Sequence, residues 1–183
     1  MRRSTGAAAA TALCLALAGC AGSARPPGTA AASPAASSTS PAASADSPTL
    51  SGITVTGSAF SLAREPAVPL VVSFWATWCG PCVHDAPVLV AAAARLRPAH
   101  VVFVGVAEES PPAGVRAFLH RYGVGYPTLT DATGSLRVPF GGTAGLPETV
   151  VLDPAHRISS RLFGVLTVST LVRAVAQAQR AGP

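Results

Sequence analysis

Residues 51–62, SGITVTGSAFSL, alternate polar and apolar side chains on either side of Gly57-Ser58. Alternation of period two, broken by a glycine, predicts a hairpin or two short strands. Pro66 and Pro69 then interrupt the chain. Residues 70–74 and the following Trp75 form a run of β-branched and aromatic residues that reads as a strand in a sheet interior. An Ala/Leu/Val-rich stretch predicts a helix over residues 79–97, with Pro87 inside it as a kink and Pro98 as its end. Residues 100–106, HVVFVGV, predict a second buried strand.

The second half continues the alternation. Residues 113–122 read as an amphipathic helix stopped by Gly123, residues 126–130 as a short strand, and Ser135–Phe140 as a helical turn. Glu148–Leu152 and Ile158–Phe163 read as strands joined by the turn Asp153-Pro154-Ala155-His156, and residues 168–179 as a closing helix. Strands alternating with helices early, and a hairpin late, predict an α/β fold. Its central mixed sheet should carry helices on both faces.

The candidate chemistry lies where the first buried strand meets its helix, in VVSFWATWCGPC. Gly80 lets the chain turn, and Pro81 has no N–H to lose in a first helical turn. Cys79 then sits at a helix N-terminus, where unpaired N–H groups and the macrodipole favour a thiolate. Cys82, three residues on, faces the same side and can close a short ring with it. A C-x-x-C also reads as half a zinc site or an inert disulfide. Zinc would need two more ligands. The other cysteines, Cys14 and Cys20, lie in the N-terminal segment, and His84, His100, His120 and His156 are scattered. His84 stands two residues past Cys82, a spacing that points elsewhere on a helix, so an exposed side chain is expected.

Composition adds the compartment. Met1-Arg2-Arg3 precedes an apolar stretch, residues 7–17, shorter than the roughly 18–20 residues of a membrane-spanning helix. It ends in Leu17-Ala18-Gly19-Cys20, which resembles a bacterial lipobox. The expected organisation is a lipoprotein signal over residues 1–20 ending at a lipidated Cys20, a linker over 21–48, and a folded domain over 49–183. Cys14 would leave with the signal. The linker is almost wholly Ala, Ser, Pro, Gly and Thr and cannot bury enough apolar surface to order itself. All 13 basic residues are arginine. Removing Arg2, Arg3, Arg25 and Asp46 takes the formal net charge from +5 to +3, and the arginines form no run or stripe. Nucleic-acid binding has little support in such a pattern.

FWATWCGPC followed by Pro87 resembles the active site of the thioredoxin superfamily. The stretch is most similar to its secreted, membrane-tethered ResA/TlpA branch, and the resemblance runs from about residue 50 to the C-terminus. It implies a thioredoxin-like fold with an N-terminal hairpin and, over residues 108–131, the branch's helix-and-strand insertion. It implies a redox-active Cys79–Cys82 pair needing no cofactor or metal. Gly145-Leu146-Pro147-Glu148-Thr149 resembles the family's cis-proline loop, which leaves the backbone of Leu146 to pair with an extended substrate. A trans proline beginning a strand is the alternative from the residues alone. Trp78, Gly80 and Pro81 would complete the substrate-binding surface.

By position, Glu109 matches a glutamate near the active site of ResA-like proteins. A partly buried carboxylate there would take the proton of Cys82, and Glu108 is one residue away. Ser73 stands where cytosolic thioredoxins carry an aspartate, so that acceptor is lost.

The implied activity is reduction of disulfides in extracytoplasmic proteins. Apo-cytochrome c would be one substrate, and a membrane donor of the CcdA/DsbD type would restore the dithiol. No obligate oligomer is called for, and a monomer is expected. Three rivals use overlapping features: a disulfide-forming oxidase, a peroxiredoxin-like peroxidase and a Sco-type copper chaperone. The Gly80-Pro81 dipeptide resembles reducing thioredoxins. Thr77 is two residues before Cys79 where a peroxidase has it three before, and the wider C-x-x-x-C of the chaperone is absent.

Overall fold

A computed structural model describes residues 47–142 and 145–181 of the chain. The N-terminal segment with Cys14, the lipobox and Cys20 lies outside these residues, as does nearly all of the linker. The strands and helices are β1 (Ser51–Ile53), β2 (Ala59–Ser61), β3 (Leu70–Trp75), α1 (Gly80–Leu96), β4 (Val102–Glu108), α2 (Pro112–Tyr122), β5 (Thr128–Asp131), β6 (Glu148–Leu152), β7 (Ile158–Phe163) and α3 (Val168–Arg180). Three short 3₁₀ turns join them, at Leu62–Arg64, Arg97–Ala99 and Ser135–Phe140.

All six residues of β3 are buried, as its unbroken apolar run requires. It is the middle strand of a five-stranded sheet of order β5-β4-β3-β6-β7. β3 runs parallel to β4, and β4 to β5, while β6 is antiparallel to both β3 and β7. The β1–β2 hairpin forms its own small sheet and touches the β5 edge through the Thr54–Leu129 bridge. That contact covers an edge which would otherwise present unpaired backbone.

Alternation along β3 assigns the two faces. Val71 packs with Leu89 and Ala92 of α1 and Leu171 and Val175 of α3. Trp75, on the same face, stacks on Phe118 of α2 with ring centroids 4.1 Å apart. The two parallel crossovers, β3-α1-β4 and β4-α2-β5, step in one direction across the sheet, so right-handed connections put both helices on one side. Val72 and Phe74 face the other way, onto Phe60, Leu62 and Phe140. Helical segments therefore cover both faces unequally: three α-helices on one, two 3₁₀ turns and the hairpin on the other.

Boundaries move where local chemistry overrides the apolar pattern. β4 begins at Val102, not His100, because His100 adopts a left-handed conformation (φ 53°) that closes the preceding turn. At its other end β4 runs on to Glu108, which is buried. β5 begins after Pro127, which has no N–H for the ladder. α1 continues through Pro87 as one helix.

Among the described residues five carboxylates are buried: Asp85, Glu108, Asp131, Glu148 and Asp153. Asp131 accepts from the backbone N–H groups of Thr133, Ser135 and Leu136 and so caps the turn at Ser135–Phe140. Asp153 holds the β6–β7 turn by accepting from the N–H groups of Ala155 and Arg157 and from the Arg157 guanidinium. Glu108 Oε1 accepts from Arg137 Nε at 2.9 Å. Burial raises the pKa of Glu108 above its ordinary 4.5, outweighing Arg137, and Asp131 and Glu109 add to the rise.

The linkage has a definite sign. Folding favours the protonated form of Glu108, so its contribution to stability is full below about pH 4.5 and is lost as pH rises through the folded pKa. Urea unfolding at a series of pH values should show this decline in the wild type and a shallower slope in Glu108→Gln. Identical slopes would refute the assignment.

Candidate active site

β3 ends at Trp75, and a tight turn through Ala76, Thr77 and Trp78 delivers the chain to α1. The turn is pinned to the end of β4. Thr77 donates through both its N–H and its hydroxyl to Ser110 Oγ, which in turn donates to the Glu108 carbonyl. Trp78 Nε1 donates to the Glu109 carbonyl at 3.3 Å, leaving the indole 62% exposed.

Cys79 is the N-cap of α1, with Gly80 and Pro81 in the first turn. Its Sγ accepts from the Cys82 N–H at 3.2 Å. That contact occupies one of the N–H groups a helix start leaves unpaired, and it delivers positive charge density to sulfur. Cys79 and Cys82 are joined as a disulfide, with Cα atoms 5.3 Å apart. Both are buried against Trp75, Ala107 and Val115.

A small cavity opens beneath Cys82, lined by Ser73, Trp75, Asp85, Tyr126 and Pro147 among others. The Leu146–Pro147 peptide is cis, and Leu146 packs against the same cluster as the two cysteines. The structure thus brings Trp78, Cys79, Gly80, Pro81, Cys82, Leu146 and Pro147 to one end of the sheet. Ser73 Oγ is buried and makes no hydrogen bond among the described residues. Burial pushes the Tyr126 hydroxyl well above its usual pKa range.

The acid next to Cys82 is not the one expected. Glu109 sits just past β4 in a left-handed conformation (φ 44°), with its backbone N–H on the Asp131 carbonyl and its side chain exposed. The expectation of a partly buried Glu109 is corrected on that point. The left-handed turn swings its side chain out to solvent, while Glu108 is buried beside Arg137. Neither lines the cavity. Asp85 does: it is 4% exposed and one turn beyond Cys82 on α1. Its Oδ1 accepts from the Leu166 N–H at 3.3 Å, and His84 Nδ1 stands 3.5 Å from the same oxygen. His84 itself is exposed, as its spacing predicts. The three-residue step from Cys82 to Asp85 was the available signal, since i and i+3 share a helix face.

Among the described residues no group of three or more His, Cys, Asp or Glu side chains is placed to hold a metal ion, and no helix is long and apolar enough to cross a membrane.

A five-stranded mixed sheet, a C-x-x-C at a helix N-cap and a cis-proline beside it define a protein of the thioredoxin-like class. The chain belongs to the Redoxin family, whose model matches residues 30–175. HelX of Rhodobacter capsulatus, called a thiol:disulfide interchange protein, is 33% identical over 105 residues, 57% of either chain. The DsbE homolog of Paracoccus denitrificans, also called a thiol:disulfide interchange protein, is 37% identical over 106 residues, 57% of this chain and 55% of that one. The chain thus spans a little over half the length of these curated relatives. A crystal structure of a thioredoxin family thiol:disulfide interchange protein from Chlorobium tepidum TLS matches with a TM-score of 0.66 at 30% identity. It covers 73% of this chain and 94% of that one. Proteins named ResA in Bacillus are further relatives, in keeping with the branch the sequence resembles.

The N-cap position carries a consequence for the reduced protein. Reduced Cys79 should titrate below a free cysteine, because the helix start favours its thiolate. The pH dependence of its alkylation by iodoacetamide measures this directly. Identical midpoints in the folded and the urea-unfolded protein would contradict the electrostatic role of the helix start.

Proposed function

We propose that the protein is an extracytoplasmic thiol-disulfide oxidoreductase that reduces disulfides in other proteins through Cys79 and Cys82. The observation that carries the reading is a cysteine pair at a helix N-cap with a buried carboxylate, Asp85, on the same cavity as the second sulfur. The names of HelX and of the DsbE homolog support the same activity.

The reaction balances as two successive exchanges. The Cys79 thiolate attacks one sulfur of the substrate disulfide, and the other sulfur leaves as a thiolate and takes a proton. A mixed disulfide now joins Cys79 to the substrate. Asp85 accepts the proton from the Cys82 thiol, in general-base fashion. The Cys82 thiolate attacks Cys79 Sγ, the second substrate sulfur departs as a thiolate that takes the proton held by Asp85, and the Cys79–Cys82 disulfide forms. Two electrons have passed to the substrate. An external dithiol must restore the pair.

Leu146 would pair through its backbone with an extended substrate segment, a reading supported by its position outside the sheet and directly before Pro147. Trp78, Gly80 and Pro81, adjacent to Cys79 in sequence, would complete the substrate-binding surface. A lipidated Cys20 and a linker over 21–48 would hold the domain off the membrane surface. Within that reading the donor is a membrane carrier of the CcdA/DsbD type, and apo-cytochrome c is a candidate substrate.

Three measurements test this. Cys82→Ser should trap a mixed disulfide with oxidised insulin, whereas Cys79→Ser should not. A reduction potential near about −270 mV fits a reductase, and one near about −120 mV would overturn the direction in favour of an oxidase. Asp85→Asn should slow release of the mixed disulfide by roughly 10²-fold at pH 7, in the range of lost general-base catalysis. Glu109→Gln should leave it unchanged. The reverse pattern would return the proton to Glu109.

A further inference from the structure

Glu148 follows Pro147 and opens β6, paired with Phe74 on one side and Phe163 on the other. Successive residues point to opposite faces. Pro147 lines the cavity beside Cys82, while Glu148 lies on the Phe74 side, away from it. The Glu148 carboxylate therefore does not face the sulfurs. It is nonetheless 0% exposed, and an isolated buried carboxylate is strongly unfavourable.

Two arginines offset that cost. Arg161 Nη1 donates to Glu148 Oε1 at 2.8 Å, and Arg137 Nη1 stands 3.7 Å from Oε2 while its Nε binds Glu108. The cluster is formally neutral. Buried ion pairs are weak contributors to stability, and fixing a geometry is their better-attested use.

The chain leaving the Ser135–Phe140 turn is moulded onto the cluster. Arg161 Nη2 donates to the Phe140 carbonyl. A Cβ at Gly142 would fall 2.3 Å from Arg137 Cγ and 2.7 Å from Glu148 Oε2, so only glycine fits there. The cluster thus grips the backbone at Phe140 to Gly142 on one flank and at Glu148 on the other. Leu146 and Pro147 lie between these anchors.

We propose that the buried Glu108–Arg137–Glu148–Arg161 cluster is a positioning device for substrate binding. By anchoring both flanks it sets where Leu146 and Pro147 stand against Cys79. The proposal rests on the oxidoreductase reading above. Glu148 and Arg161 act through the backbone and touch no reacting atom, so they are positioning residues. Their loss should affect a protein disulfide, which pairs with Leu146, and spare a small disulfide, which does not.

The test uses the full chain with insulin as the protein disulfide and DTNB as the small one. Glu148→Gln and Arg161→Lys should raise KM for insulin by about 10- to 100-fold, the scale of a small misplacement of a binding element. The DTNB rate and the reduction potential should stay within about twofold of wild type, since the cysteines, Asp85 and the helix N-cap are untouched. Gly142→Ala, which changes no charge, should reproduce the effect. An unchanged insulin KM in the three variants would overturn the proposal, as would a parallel fall in the DTNB rate. Loss of the folded state in all three, read by circular dichroism, would overturn it too, because the cluster would then be a folding element. Failure of the wild type to reduce either disulfide would instead remove the oxidoreductase reading, and this proposal with it.

Discussion

A strand buried on both faces and both edges has no water to satisfy its backbone, so its neighbours must take every N–H and C=O it carries. β3 is such a strand, held between β4 and β6. This constraint fixes the line along which the chain emerges at Trp75. In open α/β sheets the crevice beyond the carboxyl ends of the strands is where chemistry collects. Here that crevice receives the turn to Cys79 from β3, the Ser110 anchor from β4 and the start of β6 at Glu148.

The two faces of the sheet divide the labour at that end. Ser73, Trp75 and Asp85 surround Cys82 on the side of the three α-helices. On the other side the same strands bury Phe74 against Phe140, ring centroids 5.1 Å apart, and close over two carboxylates and two guanidiniums. The first set lines the cavity beneath Cys82, and the second lies against the backbone at Phe140 and Gly142. Pro147 and Glu148, adjacent in sequence, belong to opposite sets.

Much of the fold was legible in the apolar pattern. The runs at Leu70–Trp75, Glu148–Leu152 and Ile158–Phe163 are strands as their composition demands, and Gly123 ends α2 in the left-handed conformation expected of a helix stop. Errors fell at His100 and Pro127, where one residue's backbone preference outweighs the pattern around it. The cysteine pair announced itself through spacing. The cis state of Pro147 needed the family resemblance, because the residues alone favour trans. Asp85, a buried carboxylate on the Cys82 cavity, was not singled out although it stood one helical turn away. The ion cluster was beyond sequence reasoning: Arg137 meets a partner 29 residues away and Arg161 one 13 residues away, and only the fold brings them together.

The ring closed by Cys79 and Cys82 spans a sequence separation of three. A loop that short removes little conformational freedom from an unfolded chain, so the bond's effect on folding is small in the entropic view. Linkage makes the point quantitative. The gap in unfolding free energy between oxidised and reduced forms equals the gap in disulfide free energy between the folded and unfolded chain. A helix start that favours the Cys79 thiolate therefore does two things at once. It stabilises the reduced domain and raises the potential of the couple, so the external dithiol that restores a reducing pair must lie lower still, and that requirement is written into the thermodynamic cycle of folding.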